Sequence, residues 1–457
     1  MKKGILVLVM LLVGAGAGVP WLQSPAAAIG PVIGVNVLLN TDATPDILRD
    51  LGRSGTVLDS IDEIDVVHMR AAEDRLPEIA ALPYVAAANP DAERKGAPVD
   101  TVAVSDFTGG ASTWDQDAID VVNPPSARTV AYDGQGVYVA VLDTGLLDSW
   151  RQYFPEQRIA TEHAVAFSGG GADAGRVSIA PNQWEHDQNS HGTHVTSSVL
   201  GYSLRGAPIG GAAPKAIVIP VKVLNQAGFG WSSVVAHGIV YVTDLKRSGA
   251  LGSSPVVISM SLGGSRLDAV EQAAIDYAIG HGVLVVAAAG NEGDQGMSYP
   301  GAYPPVISVA ASGWIGEWVG GRTWWRGNVP DPTNPADFYI TDFSSREKAG
   351  QDLDVAAPGS WVVGPFQTQS GQTSYFFLGG TSMATPHVSG IVALMLQKNP
   401  ALVQAGVEGL LESTAIALPA GCRTVARPSG PAQNICWGAD ATGAGLATAQ
   451  NALAAIP

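Results

Sequence analysis

Cysteine is nearly absent from this chain: Cys422 and Cys436 are the only two in 457 residues. No histidine or further cysteine is clustered with them, which argues against a metal site there. Charge is sparse too, with Asp, Glu, Lys and Arg making up 14% of the residues. Basic residues number 25 against 41 acidic, for a formal net charge of −16. That balance argues against nucleic acid or an anionic membrane as a partner. Beyond the first twenty residues no apolar run is long enough to cross a bilayer. Internal repeats are missing as well.

What is present fits a compact, loop-rich globular chain. Glycine is abundant, at 55 residues, and the length predicts about two to three domains. The N-terminus begins Met1-Lys2-Lys3, continues as an apolar run from Ile5 to Val19, and ends in Ala26-Ala27-Ala28. A basic start, an apolar middle and small residues at the cut make residues 1–28 a secretory signal, with cleavage expected after Ala28. The protein is therefore expected outside the cell. The alternative is a cell-surface protein held by an uncleaved N-terminal segment. In an exported chain the two cysteines suggest one disulfide, worth about 3 kcal/mol in the chain-entropy model.

Residues 29–93 read as a small domain. Val35–Leu39 is strand-like, and Thr44-Pro45 starts a helix with Ile47, Leu48 and Leu51 as its apolar stripe. β-rich runs follow near Thr56–Leu58 and Ile64–Arg70, then a helix over about Ala72–Ala81 and a strand over Tyr84–Ala88. The order β-α-β-β-α-β predicts a ferredoxin-like α+β fold. Residues 94–113 are polar and turn-rich and read as a linker. From 114 to 457 apolar strands alternate with helical patterns, which predicts a parallel sheet covered on both faces. Val137–Leu142, Ala216–Leu224, Pro255–Leu262, Val283–Ala289 and Val306–Ala310 are the strands. Residues 313–341 interrupt the pattern with Trp314, Trp318, Trp324 and Trp325; packing onto the body is expected.

Chemistry concentrates at four places. Asp143 ends a strand, before Thr144-Gly145. Asp-Thr-Gly also serves aspartic proteases, but those need two carboxylates, and no second copy exists here. His191 and His194 open a helix, without the Glu of a His-Glu-x-x-His zinc motif; His194 reads as structural. Asn291 follows a strand, where its amide can donate to an oxyanion or simply make a turn. Ser382 lies in Gly379-Gly380-Thr381-Ser382-Met383 at the start of a helix marked by Val388, Ile391, Val392 and Met395. Pro386 is expected in that helix's first turn, where a missing N–H costs nothing. Alone, Ser382 reads equally as a cap. Together, the order Asp…His…Ser is that of the subtilisin type of triad.

With Val139–Gly145, Ser190–Val195, Ser261–Gly264, Ala287–Gly293 and Gly380–Gly390, the chain resembles the subtilisin-like serine peptidases. The resemblance covers about residues 130–455. It implies a three-layer α/β/α fold and a serine endopeptidase acting on proteins or peptides. Ser382 is the nucleophile, His191 the general base and Asp143 its orienting partner, with Asn291 in the oxyanion hole. Gly228, Phe229 and Gly230, with Ser261, Leu262 and Gly263, would flank an extended peptide. Ala288, Ala289 and Gly290 would line the primary pocket, and Ser298 its floor. No acidic residue stands at Ser298, so uncharged, mainly apolar side chains are expected there. The first domain would be an inhibitory propeptide, released by a cut within Asn89–Thr113. The product is expected to be a monomer needing no cofactor for its chemistry. Relatives bind calcium at a loop that here reads Gly201–Pro208, which offers no carboxylate. An esterase, or an inactive fold used for binding, are the competing readings; no triad member is missing.

Overall fold

The computed structural model describes residues 30–105, 113–123, 127–173 and 175–457. The expected signal peptide and the 106–112 part of the expected linker lie outside the described residues.

The first domain contains β1 (Val32–Leu39), α1 (Pro45–Leu51), β2 (Thr56–Ile61), β3 (Val66–Ala72), α2 (Leu76–Ala80) and β4 (Val85–Pro90). Its sheet has the order β2-β3-β1-β4, antiparallel throughout, which is the expected β-α-β-β-α-β arrangement. Val35, Val37 and Leu39 alternate inward and meet Leu51 and Ile79 in a core of their own. Helix α2 is shorter than expected, because Pro77 stands at its start and Glu73–Arg75 forms a 3-10 turn instead.

The described part of the stretch read as a linker, up to residue 105, pairs with the second domain. It does so through β5 (Glu93–Lys95) and β6 (Asp100–Ala103).

The second domain is built on β7 (Tyr138–Asp143), β8 (Val165–Ser168), α3 (His191–Leu200), β9 (Ile217–Lys222), β10 (Phe229–Trp231), α4 (Ser232–Arg247), β11 (Val256–Met260) and α5 (Ala269–Gly280). It continues with β12 (Val283–Ala288), β13 (Ile307–Trp314), β14 (Phe338–Ile340), β15 (Val355–Pro358), β16 (Tyr375–Gly379) and α6 (Thr381–Lys398). Seven strands are parallel, in the order β8-β9-β7-β11-β12-β13-β15, and β14 adds antiparallel to β13. Alternate residues serve opposite faces. Val139 and Val141 join the α6 side, whereas Ala140 and Leu142 join the side of α4 and α5. The result is the expected α/β/α layering. Since β7 is first in sequence but central in space, its carboxyl end lies where the strand order reverses, a place where such sheets form sites.

The first domain docks on α4 and α5. Ile61, Ile64 and Val66 share a core with Ala274, Ile275 and Ala278. Asp91 then supplies the N-terminal cap that α4 lacks, accepting from Ser233 N (2.9 Å) and Ser232 Oγ (2.8 Å). Asp268 caps α5 and also accepts from Asn36 and Asn89 of the first domain, at 2.9 and 2.8 Å.

The insertion packs onto the body as expected. Trp325 is fully buried, Trp314 stacks on Trp114 at 6.3 Å, and Trp324 stacks on Phe377 at 5.5 Å. Under these rings Glu317 is fully buried, accepting from Trp314 N, Tyr339 Oη and Ser360 Oγ at 3.0, 2.6 and 2.8 Å. Cys422 and Cys436 form the expected disulfide between paired strands Gly421–Val425 and Gln433–Trp437.

Glu317 generates a prediction about stability. Burial pushes its carboxyl up from 4.5 to about 7, against the pull of its three donors. A carboxyl whose folded value is raised binds more protons folded than unfolded between those limits, so stability falls as pH rises through that window. The loss is on the order of 3 kcal/mol. In Glu317→Gln the fall in unfolding free energy between pH 4.5 and 7.5, read by urea titration, should be smaller by that amount. An unchanged slope would remove Glu317 as its source.

Candidate active site

Asp143 is the last residue of β7 and is fully buried. Its Oδ1 and Oδ2 accept from His191 Nδ1 at 2.8 and 3.0 Å, and Oδ1 also accepts from Thr144 N at 2.6 Å. His191 begins α3 behind Ser190, whose φ is +69°. That bend is held by Asp187, a residue the motif reading missed. Its Oδ2 accepts from Ser190 N and Thr144 Oγ1, each at 2.9 Å, and Oδ1 accepts from Asn189 N at 2.8 Å. Burial pushes the Asp187 carboxyl up to about 7, with the charge of Lys222 opposing. His194 is also buried, donating from Nε2 to Val362 O at 3.2 Å, and burial pushes it down to about 3.

Ser382 is the second residue of α6. Pro386 is therefore the sixth and not in the first turn. Its missing N–H would have bonded the carbonyl of Ser382. That carbonyl accepts from Ser261 Oγ instead, at 2.8 Å. Ser382 Oγ donates to Ser261 O at 3.2 Å, and Nε2 of His191 makes no hydrogen bond. Asn291 is anchored by its acceptor end, Oδ1 taking Thr381 N (2.9 Å) and Thr381 Oγ1 (3.0 Å). Its NH2 is the end left to donate.

Between these groups runs the chain's own segment. Lys95 exchanges two hydrogen bonds with Gly263, both 2.9 Å, and lies opposite Phe229 on its other side. Gly96 N donates to Gly228 O (2.9 Å), and Val99 N donates to Gly379 O (2.7 Å). Gly228 has φ +72°, and a Cβ there would sit 2.4 Å from Gly96 O, so the close approach needs glycine.

A cavity of about 880 Å³ beside this strand is lined by Ser382, Thr381, Asn291, Ala288, Gly290 and Ser298, among others. Ala289 departs from the expected lining: it is fully buried, its N–H donating to Val309 O at 3.0 Å within the sheet. Leu262 also lines the cavity. Ser298 Oγ donates to Glu292 Oε2 at 2.8 Å, so a carboxylate does reach the expected floor, from six residues earlier in the same loop. That oxygen also takes Asn291 N and Ser345 Oγ, at 2.8 and 3.0 Å, which ties it into the loop.

The Gly201–Pro208 stretch is a hairpin of Gly201–Leu204 on Ala207–Gly210. Among the described residues, Asp352, Asp354 and Glu408 bring carboxylate oxygens within 4.8 Å of one another. Burial and the neighbouring acids push Asp354 up to about 8, so a proton relieves the crowding at neutral pH.

Known proteins are similar to this chain in sequence and in fold. Subtilisin E of Bacillus subtilis (strain 168) is 34% identical over 301 residues, 65% of this chain and 65% of that protein. The thermostable alkaline protease of Halalkalibacterium halodurans is 30% identical over 359 residues, 79% of this chain and 80% of that one. The crystal structure of fervidolysin from Fervidobacterium pennivorans, a keratinolytic enzyme related to subtilisin, shares the fold at a TM-score of 0.64 and 23% identity. It covers 94% of this chain, which covers 62% of it. The family model described as the subtilase family, peptidase S8, matches residues 134–448, and the chain belongs to that family.

Proposed function

We propose that this protein is a secreted serine endopeptidase, made as a precursor that its first domain inhibits and that it cuts itself. The observation that carries the reading is the segment Glu93–Gly96, bonded through its backbone between Gly228–Trp231 and Gly263 as a peptide substrate would be. In this reading Ser382 attacks the carbonyl carbon and His191 Nε2 takes the hydroxyl proton, later giving it to the leaving amine. Asp143 fixes the tautomer through Nδ1–H and stabilises the imidazolium. The oxyanion receives the Asn291 amide and the Ser382 N–H, at a helix end where free N–H groups favour negative charge. Water then releases the acyl group.

The pairing of Gly96 with Gly228 and of Val99 with Gly379 supports a cut between Gly96 and Val99, with Ala97–Pro98 the central bond. The first domain would remain seated as an inhibitor until lost, leaving a monomeric enzyme. Export with loss of residues 1–28 belongs to the same proposal.

Ser382→Ala should accumulate with the first domain attached, whereas the wild type should begin at residue 97, 98 or 99 by N-terminal sequencing. Cutting of purified Ser382→Ala in a protease-free host would end the self-processing reading. Asn291→Ala should lose about 10²–10³-fold in kcat, the size that removing one oxyanion donor carries in a subtilisin. Steady-state kinetics on a peptide anilide checks this, and an unchanged kcat would take Asn291 out of the oxyanion hole.

A further inference from the structure

We propose that the mature cleft carries a cation-binding subsite built on Glu271, which selects an arginine at the fourth residue before the scissile bond. The inference rests on the peptidase reading above and adds a specificity to it.

Arg94 lies in β5 opposite Gly230, one residue before the Lys95–Gly263 pairing. Counted from Ala97–Pro98, it is the fourth residue on the acyl side. A side chain this long and charged is normally exposed, yet Arg94 is 0% and Glu271 1% exposed. Nε donates to Glu271 Oε1 at 3.0 Å and Nη2 to Glu271 Oε2 at 2.5 Å, a two-pronged fit of guanidinium to carboxylate. Nη2 also reaches Arg266 O at 3.2 Å. A Cβ on Gly264 would sit 2.9 Å from Nη1 and 2.1 Å from Glu93 O, so glycine there leaves the hollow open.

The groups that hydrogen-bond the guanidinium from the receiving side, Glu271 and Arg266 O, belong to the second domain; Asp268 of that domain and Asp91 of the first add negative charge nearby. Asp268-x-x-Glu271 reads as a helix-capping pattern, in which Glu271 would turn back toward the Asp268 N–H. Its carboxylate goes to Arg94 instead. When the first domain leaves, Glu271 keeps its place at the start of α5 and loses its partner. Burial pushes the Glu271 carboxyl up, and the charge of Arg94 opposes that rise. A peptide with arginine at this position restores the pair; a neutral side chain covers the carboxylate without pairing it, which is costly. Lysine supplies charge without the fork, so it should rank between the two.

The test uses mature enzyme and internally quenched peptides identical except at the fourth residue before the cut, which is Arg, Lys, citrulline or Leu. kcat/KM should fall at least about tenfold from Arg to citrulline, its neutral near-isostere, and to Leu. Glu271→Leu should invert the Arg-to-Leu order, and Glu271→Gln should bring the Arg-to-citrulline ratio toward one. Equal kcat/KM for Arg and citrulline in the wild type overturns the subsite, and that measurement needs no variant to fold. If mature protein hydrolyses neither these peptides nor denatured casein, the peptidase reading has failed instead.

Discussion

The first turn of α6 is buried, and the site depends on how its polar groups are met. Residues Thr381 to Leu396 are all buried in a helix packed against the central sheet. The side chains there are almost wholly covered, so several of its polar groups take partners from within the fold. Asn291 meets Thr381, and Ser261 meets the Ser382 carbonyl that Pro386 leaves free. One constraint thereby pins two strand-end loops to the helix. The same pins set the Asn291 amide and the peptide-pairing strand around Ser382. Pro386 works through what it cannot donate.

The second constraint joins the two domains. Asp91 caps α4, and Asn36 and Asn89 reach the cap of α5, so the first domain is seated on two helix ends. That seating aims β5 along the cleft. Backbone bonds to Gly228 and Gly263 then set its register, leaving Ala97 and Pro98 between the last pairing on one side and the first on the other. The ion pair of Arg94 and Glu271 lies on the same line. Docking, register and the proposed subsite are one continuous contact, which explains why β5 and β6, at the start of the stretch read as a linker, are strands. Their paired backbone donors are satisfied by the second domain, not by water.

Sequence alone pointed to the layered α/β class and the first domain's strand and helix order, through apolar runs at strand length and a capping Thr before Pro45. It singled out Asp143, His191, Asn291 and Ser382 as candidates only in combination, through their order along the chain and the motifs around them. Tertiary structure alone decided the rest. Nothing near Arg94 in sequence names Glu271 as its partner, 177 residues away. Nor does the chain around Ser298 reveal that Glu292 turns its carboxylate back onto it. Ala289 read as pocket lining, because a one-residue alternation in a strand end decides which side chain faces the cavity. Pro386 read as first-turn, because the helix begins at Thr381, whose N–H donates to Asn291 Oδ1, a pairing that no local pattern encodes. Periodicity and caps are local, and survive in a one-dimensional reading. Pairings across more than a hundred residues are set by which surfaces the folded layers bring together.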